Sequence, residues 1–347
     1  MKILVNTPDI NALGGVSNHY LGLKPYWNAN VKYNNIGSKR IRKWLTPFSL
    51  IKYIYYLIVF RPDVIILNPS LGNGALIRDF FYMKLALAFG KKVAIFMHGF
   101  NLDYAENINR KWAVKNFNKA SMLFVLANRF KEIMQSWGVS VPICLTTTKV
   151  DDNLIKGFDI KRDKYFSNCN ILCLTRIEKA KGIYETIDTY AILKQKYNDL
   201  TLTFVGDGSE LESLKTYTNK KNLSDVRFTG KLSGTELSKE YQNADFFLFL
   251  SYGEGMPTVV LEAMAFGLPV FTRKVGGLVD FFENGKMGYI SDSLSAQDFA
   301  NAMIPYIENR EFSQKVALYN AQYAKDHFMA SIVAEQIENN IKETLGL

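Results

Sequence analysis

SYGEGMPTVVLEAMAFGLPV, residues 251–270, decides how this chain is read. It places two carboxylates, Glu254 and Glu262, on either side of a glycine-rich turn and the start of a helix. The apolar run ADFFLFL precedes it and reads as a buried parallel strand. A strand that ends in glycines and then enters a helix is how a doubly wound sheet presents groups to a ligand. Gly253 and Gly255 flank Glu254 and let backbone amides approach a ligand with no Cβ in the way. Pro257 suits the first helical position, where a missing N–H costs nothing. Met256, Pro257 and Thr258 would then lie where free amides meet a sugar or phosphate. Glu262 lies one turn further in, among apolar neighbours, where a carboxylate can accept two hydrogen bonds from a ribose diol.

Working outward, the strand–helix rhythm recurs along the whole chain. Strands are predicted at Ile3–Val5, Asp63–Leu67, Lys92–Met97, Ser121–Leu126 and Val141–Cys144. After a polar stretch, Thr146–Asn168, the rhythm restarts with Asn170–Leu174, Leu200–Val205, Val226–Thr229, Phe246–Leu250, Val270–Thr272 and Gly288–Ile290. Residues 296–309 and 311–345 read as helical, the last as one long amphipathic stretch. The expectation is an α/β protein of two Rossmann-like αβα domains facing a central cleft. The domains are set at 1–160 and 161–325, and a C-terminal helix, 326–347, crosses back to the first.

Several strand ends carry chemistry. Arg176 and Lys181, in LTRIEKAKG, leave a buried strand and form a natural diphosphate clamp, a planar fork beside a point charge. The alternative is an ordinary charged turn with Glu178 and Lys179. Gly206, in GDGSE, opens another strand-end turn. Arg273 leaves the next strand, ahead of Gly276 and Gly277. In the first half, Gly15 follows the first strand, and His98 ends KVAIFM at a ligand-facing address. His19 and His327 have no comparable position. No GxGxxG dinucleotide fingerprint and no GxxxxGK[ST] loop occurs.

Composition narrows the classes. Three cysteines, Cys144, Cys169 and Cys173, make no disulfide framework and suggest a reducing compartment, and Cys169 and Cys173 read as buried thiols. Histidines number three, and none stands at metal-ligand spacing, so no metal is expected. No apolar run of 18 residues exists, and MKILVN leads directly into a strand, so neither a spanning helix nor a signal peptide is expected. The net charge of +9 is uneven. Residues 1–165 hold 24 Lys/Arg against 10 Asp/Glu, and residues 166–347 hold 18 against 23. The first half therefore suits an anionic partner. KRIRK at 39–43 leads through Trp44 into FSLIKYIYYLIVF at 48–60. Basic residues beside aromatics fit contact with an anionic membrane surface. Nucleic acid is disfavoured, because the basic half has no RNA-binding motif and the acidic half would go unexplained.

These residues together resemble the retaining glycosyltransferases of family 4, which have the GT-B architecture. The matching pieces are GG at 14–15, MHG at 97–99, LTRIEKAKG at 174–182, VGDGSE at 205–210, the 251–270 block and TRKVGGLVDFFENGKMGYI at 272–290. The two glutamates fit that family's E-x7-E signature. The resemblance implies that Glu254 contacts donor-sugar hydroxyls and Glu262 holds the ribose. Arg176 and Lys181 would neutralise the diphosphate, His98 would contact the sugar near the reacting centre, and Gly15 would line the phosphate side. Asp280 stands where many relatives carry glutamate. No DxD motif is present, so no divalent ion is implied. The expected protein is a cytoplasmic transferase at the inner membrane face. It would move a hexose or N-acetylhexosamine from a UDP sugar, with a GDP sugar as the alternative, to a lipid-linked glycan of a surface polysaccharide or lipopolysaccharide. Two competing readings are a noncatalytic nucleotide-sugar sensor and an epimerase of the same architecture.

Overall fold

The computed structural model describes residues 1–11, 14–36, 46–160 and 169–347. The basic cluster 39–43 and Trp44 lie outside them. The chain forms two compact units, Met1–Lys149 with Ala330–Leu347, and Val150–Met329. The division thus falls after Lys149, ahead of the expected residue 160.

The first unit is a six-stranded sheet, all parallel. Its strands are β1 Lys2–Thr7, β2 Asn30–Asn35, β3 Val64–Leu67, β5 Lys92–Met97, β7 Met122–Val125 and β8 Ile143–Leu145, in the order β2-β1-β3-β5-β7-β8. Two short strands, β4 Ser70–Leu71 and β6 Gly99–Phe100, pair beyond its carboxyl edge. The central strands β3 and β7 are buried along their whole length, as parallel strands covered on both faces must be. Helices α1 Gly15–Leu23, α2 Thr46–Tyr55, α3 Asn73–Ala88, α4 Leu102–Asn107, α5 Arg110–Phe117 and α6 Asn128–Ser136 complete the layers, and a π turn, Tyr56–Phe60, extends α2. The order reverses between β1 and β3, so the loops leaving those strands diverge and open a crevice at the carboxyl edge.

The second unit repeats the plan. Its strands are β9 Asn170–Leu174, β10 Thr201–Val205, β11 Val226–Phe228, β12 Phe246–Phe249, β13 Val270–Arg273 and β14 Gly288–Ser291. They run parallel in the order β11-β10-β9-β12-β13-β14, with the reversal between β9 and β12. Helices α7 Ile183–Lys194, α8 Leu211–Lys220, α9 Gly234–Asn243, α10 Thr258–Ala265, α11 Ala296–Glu308 and α12 Arg310–His327 cover the sheet.

The expected single helix 311–345 is broken into α12 and α13, Ala330–Leu345. The interruption is tied down: Val150 N–H donates to the Phe328 carbonyl at 2.7 Å, and Val150 bridges Met329. The chain therefore changes unit twice at hydrogen-bonded neighbours. Helix α13 is held in the first unit by Glu338, 1% exposed, whose carboxylate accepts from the N–H groups of Asn28 and Ala29 at 2.8 and 2.9 Å.

Candidate functional site

In the second unit the site assembles at the β9/β12 reversal. The loop leaving β9 carries Arg176 and Lys181; the loop leaving β12 carries Ser251 to Pro257. They are stitched together: Tyr252 N–H donates to the Ala180 carbonyl at 3.0 Å. Gly182 has φ +66°, and a Cβ there would lie 2.0 Å from the Leu250 carbonyl oxygen, so this close approach admits only glycine. Its result is that Lys181 Nζ reaches Glu254 Oε1 at 2.6 Å, with 13% and 19% of the two side chains exposed. Ser251 Oγ donates to the same oxygen at 2.8 Å. Gly276 backs this turn, with Gly277 N–H donating to the Gly255 carbonyl at 2.9 Å.

Helix α10 begins behind Glu254. Pro257 is its N-cap and Thr258 its first residue, one position later than the expected proline start. Glu262 is buried on this helix and accepts from the Tyr241 hydroxyl at 2.8 Å. Burial, then the Glu262 charge, pushes the Tyr241 phenol well up, so it remains a donor. Arg176 stands apart: its guanidinium, two thirds exposed, pairs with Glu178 at 3.0 Å. Gly206 has a packing reason of its own. With φ +144°, a Cβ would sit 1.8 Å from the Thr175 carbonyl oxygen. Arg273 is buried and stacks over the Tyr252 ring at 4.1 Å, donating through Nε to the Ser293 carbonyl. Asp280 closes the 3-10 turn Gly276–Asp280.

The first unit carries a second polar cluster along its carboxyl edge. Gly15 opens α1, and His98 leaves β5. The His98 ring lies flat on Phe96 at 3.8 Å and meets His19 edge-on at 4.9 Å. Its Nε2 is 3.0 Å from Asn68 Oδ1. Asn68 also accepts from the Tyr20 hydroxyl at 2.7 Å and donates to the Asn6 carbonyl at 3.0 Å. Desolvation lowers the His98 imidazole to about 3, so it is neutral at ordinary pH. His19 is pushed well down by burial and then by His98 and Lys149.

Tyr20, Asn68, Ser251 and Tyr241 escaped the sequence reading, and His19 was set aside in it. Two signals were available. His19 stands four residues after Gly15, one helical turn along the same face. Asparagine closes the apolar runs ILVN at Asn6 and VIILN at Asn68, and a polar residue at the carboxyl end of a buried parallel strand points to the ligand edge. Among the described residues no group of three His, Cys, Asp or Glu could hold a metal ion. Cys144, Cys169 and Cys173 are free, and burial raises the Cys173 thiol to about 12.

Residues 160–323 match the family model described as glycosyl transferases group 1. Together with the two doubly wound units, this defines the class: a GT-B-fold protein related to glycosyltransferases, ones of polysaccharide biosynthesis among them. It is similar to the capsular polysaccharide biosynthesis glycosyltransferase CapM of Staphylococcus aureus, 25% identical over 274 residues that cover 76% of this chain and 66% of CapM. In structure it is similar to HepE of Anabaena in complex with UDP, with a TM-score of 0.78 at 18% identity, covering 99% of this chain and 100% of that one. The lipopolysaccharide outer core galactosyltransferase WaaB aligns with a TM-score of 0.70 at 20% identity, over 99% of both chains. The chain spans less than two thirds of the length of the curated relatives it matches first, 66%, 26% and 48%.

Proposed function

We propose that this chain is a retaining glycosyltransferase. It moves a hexose or N-acetylhexosamine from a UDP sugar to a lipid-linked glycan during surface polysaccharide or lipopolysaccharide synthesis. The observation that carries the reading is the Lys181–Glu254 pair at the sheet reversal, with the N-terminus of α10 directly behind it. Lys181 supplies fixed positive charge for the leaving diphosphate, helped by Arg176 and by the free amides that begin α10. Glu254 accepts from sugar hydroxyls, and Glu262 from the ribose. The bond between the anomeric carbon and the diphosphate oxygen breaks as the acceptor oxygen bonds the same face. The acceptor proton passes to the departing phosphate oxygen. This route needs no metal ion, since lysine, arginine and backbone dipoles carry the charge. HepE has also been crystallised with UDP-glucose, which supports a UDP-linked donor.

The acceptor belongs to the first unit, at an anionic membrane surface on the cytoplasmic side. Phe48, Ile51, Tyr55, Ile58 and Val59 are each more than half exposed, at helical spacing, while Tyr53 and Leu57 face the core. No described helix is long and apolar enough to cross a membrane, so the contact proposed is lateral.

The test is nucleotide release from a panel of UDP and GDP sugars, with a detergent-solubilised membrane extract as acceptor source and EDTA present. Release from one donor by the wild type, and not by Glu254→Ala, is the expected result. Absence of nucleotide binding would overturn the proposal.

A further inference from the structure

The polar cluster of the first unit contains a chain of hydrogen bonds whose directions are forced. The Asn6 carbonyl oxygen can only accept, so the Asn68 atom 3.0 Å from it is the amide nitrogen. Turning the amide over would put two carbonyl oxygens against each other. Asn68 Oδ1 is therefore the atom that faces Tyr20 and His98, and it accepts from both. An acceptor 3.0 Å from His98 Nε2 requires a proton on that nitrogen. A neutral imidazole holds one proton, so Nδ1 carries the lone pair. Nδ1 has no partner among the described residues. The ring is packed in this orientation, with Phe96 flat on one face and His19 and Tyr20 edge-on at 4.9 and 5.8 Å, and turning it over would set a carbon against Asn68 Oδ1 and lose the hydrogen bond.

We infer that Asn68 is a positioning residue that fixes His98 as the Nε2–H tautomer, so that Nδ1 accepts a hydrogen bond from a hydroxyl of the sugar substrate. The inference rests on the proposed glycosyltransferase reading for the identity of the ligand, and on geometry alone for the tautomer. It gives the site a specificity. A lone pair at Nδ1 welcomes a hydroxyl donor and repels a phosphate or carboxylate oxygen, so His98 serves the sugar and leaves the diphosphate to Lys181. A neutral imidazole with this orientation has no proton to give on its free side and does not act as a general acid there.

The chain has three histidines, His19, His98 and His327, so a proton–nitrogen correlation spectrum of uniformly 15N-labelled protein reads each tautomer separately. The expected spectrum shows His98 protonated at Nε2. Its Nδ1 resonance should move when UDP-glucose, or the donor turned over best, is bound at saturation. Asn68→Ala should give a mixed or reversed His98 tautomer, with the His327 signals in place. Its kcat/KM should fall about 10- to 100-fold, as when a histidine loses its orienting partner, mainly through kcat. Tyr20→Phe leaves the Asn68 acceptor in place and should keep the wild-type tautomer. Protonation of His98 at Nδ1 in the wild type would overturn the inference, and so would an Nδ1 resonance indifferent to a bound donor. An unchanged tautomer in Asn68→Ala would do the same. The tautomer measurement needs no turnover, so its outcome is independent of whether the chain transfers sugar.

Discussion

Lys181→Met removes the positive partner of Glu254 while keeping an unbranched chain of similar length. The ammonium and carboxylate are 2.6 Å apart and mostly shielded from solvent. A hydrogen bond to a charged group contributes about 1.5–3 kcal/mol, and breaking a fully buried pair costs about 3–5 kcal/mol. The residual exposure here and the Ser251 hydroxyl left on Glu254 set the expected loss at about 2 kcal/mol. If Lys181 also neutralises the diphosphate, the same loss applies to UDP binding and weakens it about thirtyfold. The orphaned carboxylate then repels the diphosphate, so Glu254→Gln added to Lys181→Met should recover part of the affinity. The double-mutant cycle should show a coupling of about 1–2 kcal/mol. Calorimetric titration of the four proteins with UDP, beside urea unfolding, separates binding from folding. A urea midpoint that falls in Lys181→Met while UDP affinity stays within twofold of wild type would refute the reasoning. Lys181 would then be a structural counter-ion only.

His98 takes up its second proton in the fold only below about pH 3, whereas the unfolded chain takes it up near pH 6.5. The unfolded state therefore binds more protons between these values, and stability present at neutral pH is lost as pH falls through that window. His98→Phe should make the loss shallower by about 1.4 kcal/mol per pH unit between pH 6 and 4, measured by urea unfolding. Gly276→Ala should cost about 2 kcal/mol or more, because φ is +51° and the new Cβ would lie 1.9 Å from the Gly255 carbonyl oxygen; thermal unfolding and UDP titration should both report it. Glu338→Ala strips two N–H groups of their acceptor and should cost about 2 kcal/mol. Hydrogen exchange should then speed up in α13 and stay unchanged in α7.

The apolar strand cores were legible because a parallel strand covered on both faces must be a continuous apolar run, as in DVIIL, KVAIFM and DFFLFL. Edge strand β2, NVKYNN, was not, because it pairs on one side only and needs no such run. The 251–270 segment was legible since its glycines, proline and glutamates follow one strand in a fixed order. The His98 cluster was half legible. His98 shows as a strand-end histidine, but its partners Asn6, Tyr20 and Asn68 come from β1, α1 and the end of β3, and only the sheet order brings them together. The break between α12 and α13 is bonded to Val150, which is remote in sequence and invisible to helical periodicity.

Helix α13 returns to the first unit after the whole second unit has been made. During synthesis the first unit must therefore wait. Its sheet emerges early, but the backbone N–H groups of Asn28 and Ala29 receive the Glu338 carboxylate only after residues 150–329 have left the ribosome. The second unit is contiguous and can finish folding without that delay. The unit begun first is completed last, so a nonsense mutation at Ala330 would spare the unit that carries Glu254 and leave the one that carries His98 unfinished.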